Sequence, residues 1–243
     1  AFKVFPSQTI PNNYLRVACH LRFRSFFFSD WGFDLRPYGL VAKAMEHPYF
    51  CFLNSFSEPL VPGWLEKLSK TTQQSGVGLV GATGSWESMY SNLFIRQQSL
   101  DQISLRERLW FTLRVQLSKQ FFQPFPNYHL RTNAILVPRD IILRFWPSIV
   151  LSKQNAYLFE NGKRNLTCKV LRMGLQVLVV GRDGRAYCKE DWLQSRTYRA
   201  GNQENLLVAD NQTRLYAAAD DQLRHRLTGA AWGASDNLNA TAD

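Results

Sequence analysis

Polar and charged residues able to do chemistry gather just after apolar runs in two stretches of this chain. One is Phe52-Leu53-Asn54-Ser55-Phe56-Ser57-Glu58-Pro59-Leu60. The other is Asn127-Tyr128-His129-Leu130-Arg131-Thr132-Asn133-Ala134, followed about a helix later by Phe159-Glu160-Asn161-Gly162-Lys163. Open α/β sheets bind ligands beyond the carboxyl ends of their strands, so polar residues delivered there are candidates for binding and catalysis. Glu160 has a second argument behind it. Residues 121–180 hold eight Lys+Arg against two acids. One of the two, Asp140, falls in the first turn of an expected helix, where the helix dipole accounts for it. Nothing local accounts for Glu160. A carboxylate there is either a proton acceptor or a surface partner of Lys163 or Arg164, and such cations would lower its pKa and weaken it as a base.

Other chemistries lack their residues. There is no GxxxxGK[ST] for a P-loop, no GxSxG elbow, no HExxH and no CxxC. Gly76-Val77-Gly78-Leu79-Val80-Gly81 matches GxGxxG by letter, but its glycines are interleaved with strand-forming residues and lead into Thr83-Gly84-Ser85-Trp86 rather than a helix. It reads as a strand in which glycine permits close packing. Cys19, Cys51, Cys168 and Cys188 are scattered, which suits incidental thiols in a reducing compartment.

The elements that must position these residues follow from apolar patterning. Residues 49–53, 77–83, 134–137 and 176–181 are short apolar runs and read as buried strands. Residues 36–46 read as a short helix. A second helix runs from Pro62-Gly63-Trp64 to about Ser75, and another starts at Pro138-Arg139-Asp140. Residues 99–122 place Ile103, Leu109, Trp110, Leu113, Leu117 and Phe121 at helical spacing with Arg106, Arg114 and Lys119 between them. That long amphipathic helix covers the domain or presents a face to a membrane surface or partner. Strands entered from helices are α/β grammar.

At 243 residues the chain can bury a substantial core without disulfide or metal staples, and its apolar runs are too short to span a bilayer. The start, Ala1-Phe2-Lys3-Val4-Phe5-Pro6, has neither an initiator Met nor a signal pattern, which leaves a trimmed N-terminal strand open. The formal charge of +10 peaks in residues 121–180 and turns slightly acidic after 181. That distribution suits diphosphates or an anionic surface more than a general polyanion.

On Gly32-Phe33-Asp34, FLNSFSEPL with PGWLEKL, VGLVGATGS, HLRTNAILVPRD and FENGK, spanning roughly residues 30–185, the chain resembles nucleotide-sugar glycosyltransferases of the GT-A fold. It is most like the family 2 and rhamnan-type polysaccharide-synthesis enzymes. The resemblance implies a three-layer α/β sandwich with a mixed, mostly parallel central sheet. It implies one domain over residues 1–228, with a flexible tail over 229–243. It implies transfer of a sugar from a nucleotide-sugar donor to a glycan or lipid-linked acceptor in cell-envelope polysaccharide synthesis, by a cytoplasmic protein with peripheral contact at the inner face of the membrane.

By the same resemblance Asp34, Asn54, Ser55 and Glu58 bind the nucleotide sugar, and Glu160 is the general base of an inverting transfer. Arg131, Asn133 and Lys163 contact the acceptor or the leaving diphosphate. The family usually carries Asp at the position of Phe56, and a phenyl ring ligates nothing. A Mg²⁺ or Mn²⁺ ion would therefore lean on Glu58, on Asn54 or on the diphosphate itself, and metal dependence stays open. Two rivals remain. Phe56 suits a non-catalytic binding or scaffold protein of the same fold. The pI of 9.7, with Arg22 and Arg24 between apolar residues, suits a nucleic-acid binder, although no such signature is present and nucleic acid is not expected as a partner.

Overall fold

Short apolar runs buried on both faces become the centre of the molecule. The computed structural model describes residues 2–4, 12, 15–16, 24–28, 34–98, 104–147 and 150–233. Its elements begin with β1 (Phe2–Val4), β2 (Ser25–Phe27), α1 (Leu35–Ala44), β3 (Tyr49–Leu53), β4 (Glu58–Pro59) and α2 (Trp64–Thr72). There follow β5 (Val77–Gly81), β6 (Gly84–Ser85), α3 (Met89–Gln98), α4 (Leu105–Phe121), β7 (His129–Leu130), β8 (Ala134–Pro138) and α5 (Arg139–Phe145). The chain continues through α6 (Lys153–Asn161), α7 (Leu166–Leu171), β9 (Gln176–Val180), β10 (Ala186–Tyr187), β11 (Val208–Ala209), α8 (Asn211–Ala217) and α9 (Asp221–Trp232).

The main sheet has the order β10-β9-β5-β8-β3. Only the β5–β9 pair is parallel; β10–β9, β5–β8 and β3–β8 are antiparallel. The expected mostly parallel sheet is thus corrected: the sheet is mixed, and its neighbouring pairs are mostly antiparallel. The cause is β8, which inserts between β3 and β5 and runs against both. β3, β5 and β9 nevertheless share one direction, so their carboxyl ends open on the same edge of the sheet.

Alternation along the strands divides two cores. Leu79, Ile135, Val137, Val177 and Val179 face Leu35, Ile141, Trp146, Phe159 and Val170. Val80, Ala134, Leu136, Leu178 and Val180 face Leu68, Leu207 and Val208. Apolar helix faces therefore cover the sheet on both sides, and each fully buried Val or Leu contributes roughly 1.5–3 kcal/mol. The 76–81 glycines pack as a strand: a Cβ on Gly78 would lie 2.6 Å from Val170 Cγ1 and 2.8 Å from Leu175 Cβ.

The carboxy-terminal third belongs to this body. Trp192 is fully buried against Gly84, where a Cβ would come 2.5 Å from the indole. α9 runs to Trp232, which is buried, packs edge-on against Trp86 at 5.2 Å and donates its indole N–H to Tyr198 O at 3.0 Å. The tail boundary expected at residue 229 therefore falls inside the last turn of a packed helix; residues 234–243 lie outside the described residues. Among the described residues no helix is long and apolar enough to cross a membrane.

Candidate functional site

The turn Arg131-Thr132-Asn133 enters β8 at the edge where β3 and β5 end. Arg131 N donates to Thr83 O at 3.0 Å and Ala82 N to Ala134 O at 2.9 Å, so the turn is stitched to the segment leaving β5. Arg131 does not offer a free cation. Its Nη2 lies 2.6 Å from Asp210 Oδ2, and its guanidinium stacks 4.1 Å from the centre of the Tyr198 ring. Burial works to raise the Asp210 carboxyl, yet the charge and hydrogen bond of Arg131, with the Thr213 bonds, hold it below its ordinary value.

Arg199 stacks on Tyr198 as well, at 5.0 Å, and pairs with Glu87 at 3.6 Å. Asn133, almost wholly buried, is a structural bridge. Its Oδ1 accepts from Thr83 Oγ1 at 2.6 Å, its Nδ2 donates to Val208 O at 3.0 Å, and its carbonyl accepts from Ser57 Oγ. Every side-chain hydrogen-bonding atom of Asn133 is spent on the fold. Two of the three residues expected at an acceptor or diphosphate, Arg131 and Asn133, are thus built into the frame.

Thr132, between them, turns to Glu160 in the last turn of α6. Its Oγ1 donates to Glu160 Oε1 at 2.9 Å, and among the described residues no group donates to Oε2. Burial pushes the Glu160 carboxyl above its ordinary value; the Thr132 bond and Arg131 pull it down, and Asp34 pushes it up again. Asp34 precedes α1 without capping it through its side chain. Tyr38, one turn on, donates to Leu53 O at 2.7 Å. Burial, with the charges of Asp34 and Glu160, holds its phenol far above the ordinary value. Asp34, Tyr38 and Glu160 therefore share one electrostatic neighbourhood beside the end of β3. Next to it, Thr132, Ile135, Phe159, Glu160 and Thr167 line a small cleft with room for about one water molecule.

The β3–β4 loop is committed to its own turn. Asn54 Oδ1 accepts from Phe56 N at 2.9 Å and Asn54 N donates to Ser57 Oγ at 3.1 Å, while Ser55 is exposed at its tip. Glu58 pairs with Arg214 at 3.1 Å on the β4–β11 ribbon, and Arg214 also donates to Phe56 O at 2.9 Å. These residues do not fit a divalent cation held by side chains. Asn54 is engaged, Phe56 has no donor atom, and Glu58 already faces a guanidinium. Among the described residues no three His, Cys, Asp or Glu side chains are grouped as a metal site. Lys163 is partly buried just past α6, its N–H donating to Phe121 O at 2.9 Å.

The structure thus unites Asp34 and Glu160, places Lys163 three residues beyond, and sets Glu58 apart with Arg214. Gly32 and Phe33 lie outside the described residues. Sequence reasoning missed Tyr38, Thr132, Tyr198 and Asp210. Asp210 had a local signal, since Asp210-Asn211-Gln212-Thr213 makes a reciprocal helix cap at the start of α8. The chain matches no family model, no curated protein and no solved structure.

Proposed function

We propose that this chain is a glycosyltransferase that moves a sugar from a nucleotide-sugar donor to a hydroxyl of a glycan or lipid-linked acceptor, with Glu160 as general base. The observation that supports this reading is the Glu160 carboxyl. It lines a cleft, is oriented through one oxygen by Thr132, keeps the other oxygen unengaged by described residues, and is made more basic by burial. A carboxylate with a raised pKa is a better proton acceptor than an exposed one. In an inverting transfer the acceptor oxygen bonds to the anomeric carbon while its proton passes to Glu160. The bond from that carbon to the diphosphate oxygen breaks, and its electron pair leaves with the nucleoside diphosphate. The growing phosphate charge calls for a cation. Arg131 is already neutralised by Asp210, so Lys163 takes that role.

Titration calorimetry against UDP-, GDP- and dTDP-sugars, with wild type and Glu160→Gln, tests the reading. A donor should bind both proteins, and transfer to an acceptor should fall by at least ~100-fold in the variant. Absence of nucleotide binding by the folded wild type would refute it. A second reading, a non-catalytic binding module of similar architecture, draws on Phe56 and on the Glu58–Arg214 pair. There, donor binding persists and Glu160→Gln changes nothing.

A further inference from the structure

Helix α4 carries two apolar faces, and among the described residues only one of them is packed against the fold. Val115 and Ser118 are buried and Phe111 is half-buried, forming the inward side. Leu109, Trp110, Leu113, Leu117 and Phe121 remain 72%, 62%, 57%, 47% and 51% exposed. At 100° per residue these five fall within about a third of the helix circumference, and they extend along roughly 18 Å of its axis. Five large apolar side chains in one outward stripe are more than the scattered exposure of an ordinary surface and mark something that covers them.

Charge identifies what covers them. The helix carries Arg106, Arg108, Arg114 and Lys119 against a single acid, Glu107. That acid is committed to the helix start, where it and Ser104 form a reciprocal cap. Arg106 lies within the stripe by helical angle and Arg114 at its margin, the latter with its guanidinium 5.6 Å from the Trp110 ring. A second copy of the chain would bring the same cations face to face. The stripe also sits on a convex helix rather than in a groove. A long apolar stripe with Arg106 within it, Arg114 at its margin and an exposed tryptophan has the chemistry of a helix that lies in the headgroup layer of an anionic bilayer.

We propose that α4 docks this protein on anionic lipid membranes, with Leu109, Trp110, Leu113, Leu117 and Phe121 entering the acyl boundary and Arg106 and Arg114 meeting lipid phosphates. None of these residues lines the Glu160 cleft, so docking and turnover are separable.

The test is co-sedimentation of the full chain with vesicles of phosphatidylcholine alone and of phosphatidylcholine with phosphatidylglycerol at about 3:1. Binding is expected to the anionic vesicles, to weaken at about 0.5 M NaCl, and to fall about tenfold or more in Leu109→Gln/Leu113→Gln/Leu117→Gln. Arg106→Glu/Arg114→Glu, which leaves the apolar stripe intact, is expected to lose binding comparably. Both variants change exposed residues, and unchanged thermal melting checks that they are folded. Failure to bind anionic vesicles overturns the proposal, as does equal binding to neutral ones or binding untouched by either variant. A dimer in solution that dissociates on the leucine substitutions, without vesicle binding, assigns the stripe to a second copy and also overturns it.

Discussion

Replacing Asp210 by Asn separates the buried ion pair from everything else that residue does. Asn is nearly isosteric, and its side-chain oxygen can still accept from Thr213 N, a bond of 2.9 Å that caps α8. What is lost is the negative charge 2.6 Å from Arg131, between side chains 2% and 14% exposed. Leaving a buried cation without its partner costs about 3–5 kcal/mol. Stacking on Tyr198 and the small residual exposure of Arg131 place the expectation at the low end, about 3 kcal/mol. For a chain of this size that corresponds to a melting temperature lower by roughly 6–12 °C. The pH dependence supplies a second constraint. The folded-state carboxyl of Asp210 lies below its ordinary value, so its contribution is present above the ordinary carboxylate range and is lost as pH falls towards the folded value. Urea melts of wild type and Asp210→Asn should therefore differ fully near pH 7 and converge in acid. A difference under about 0.5 kcal/mol at pH 7, or a gap that does not narrow as pH falls, would refute the reasoning.

Three further outcomes follow from contacts of different kinds. Asn133→Ala strands Thr83 Oγ1 and Val208 O, and chemical denaturation should show a loss of about 2–4 kcal/mol. Gly84→Ala drives a methyl into the Trp192 ring, so melting should report about 1–3 kcal/mol of destabilisation and near-ultraviolet dichroism should report altered tryptophan packing. Glu58→Gln removes an ion pair whose side chains are 65% and 47% exposed; it should cost less than about 1 kcal/mol and leave donor affinity by calorimetry unchanged.

Local pattern located β3, β5, β8 and β9 well, because they are short apolar runs bounded by polar turns, and it passed over α3 and the helices from α6 to α9. It carried no information on direction. β8 is as apolar as β5 and is buried on both faces, so nothing in Ala134-Ile135-Leu136-Val137 distinguishes a strand running against its neighbours from one running with them. The tertiary contacts of Arg131 and Asn133 were hidden from local pattern for a related reason. An Arg following an apolar run reads as a ligand for phosphate until its partner is known, and that partner stands 79 residues later. The expected tail over 229–243 began too early in the last helix, because Ala231 and Trp232 are buried, Ala231 O accepts from Trp86 N and the Trp232 indole donates to Tyr198 O, contacts that local pattern does not show. Glu160 drew notice in the sequence as an acid without a local role, and the partner it has, Thr132, stands 28 residues away.

The frame also explains how Glu160 is held. Arg131 and Asn133 are both fastened to residues 208–210, and the residue between them, Thr132, reaches Glu160 from the opposite side of the turn. The carboxy-terminal segment thus positions Thr132 without touching the cleft. Thr132→Val tests this, since it keeps the shape and removes the hydroxyl. The Thr132 bond lowers the Glu160 carboxyl against the larger effect of burial, so its loss should raise that pKa further. Carbon-detected titration of the labelled carboxyl should move its midpoint to higher pH, whether or not an acceptor is present. If the protein is the proposed transferase, the acid limb of its pH–rate profile should move in the same direction. A midpoint that stays fixed or moves to lower pH would show that Thr132 does not control Glu160.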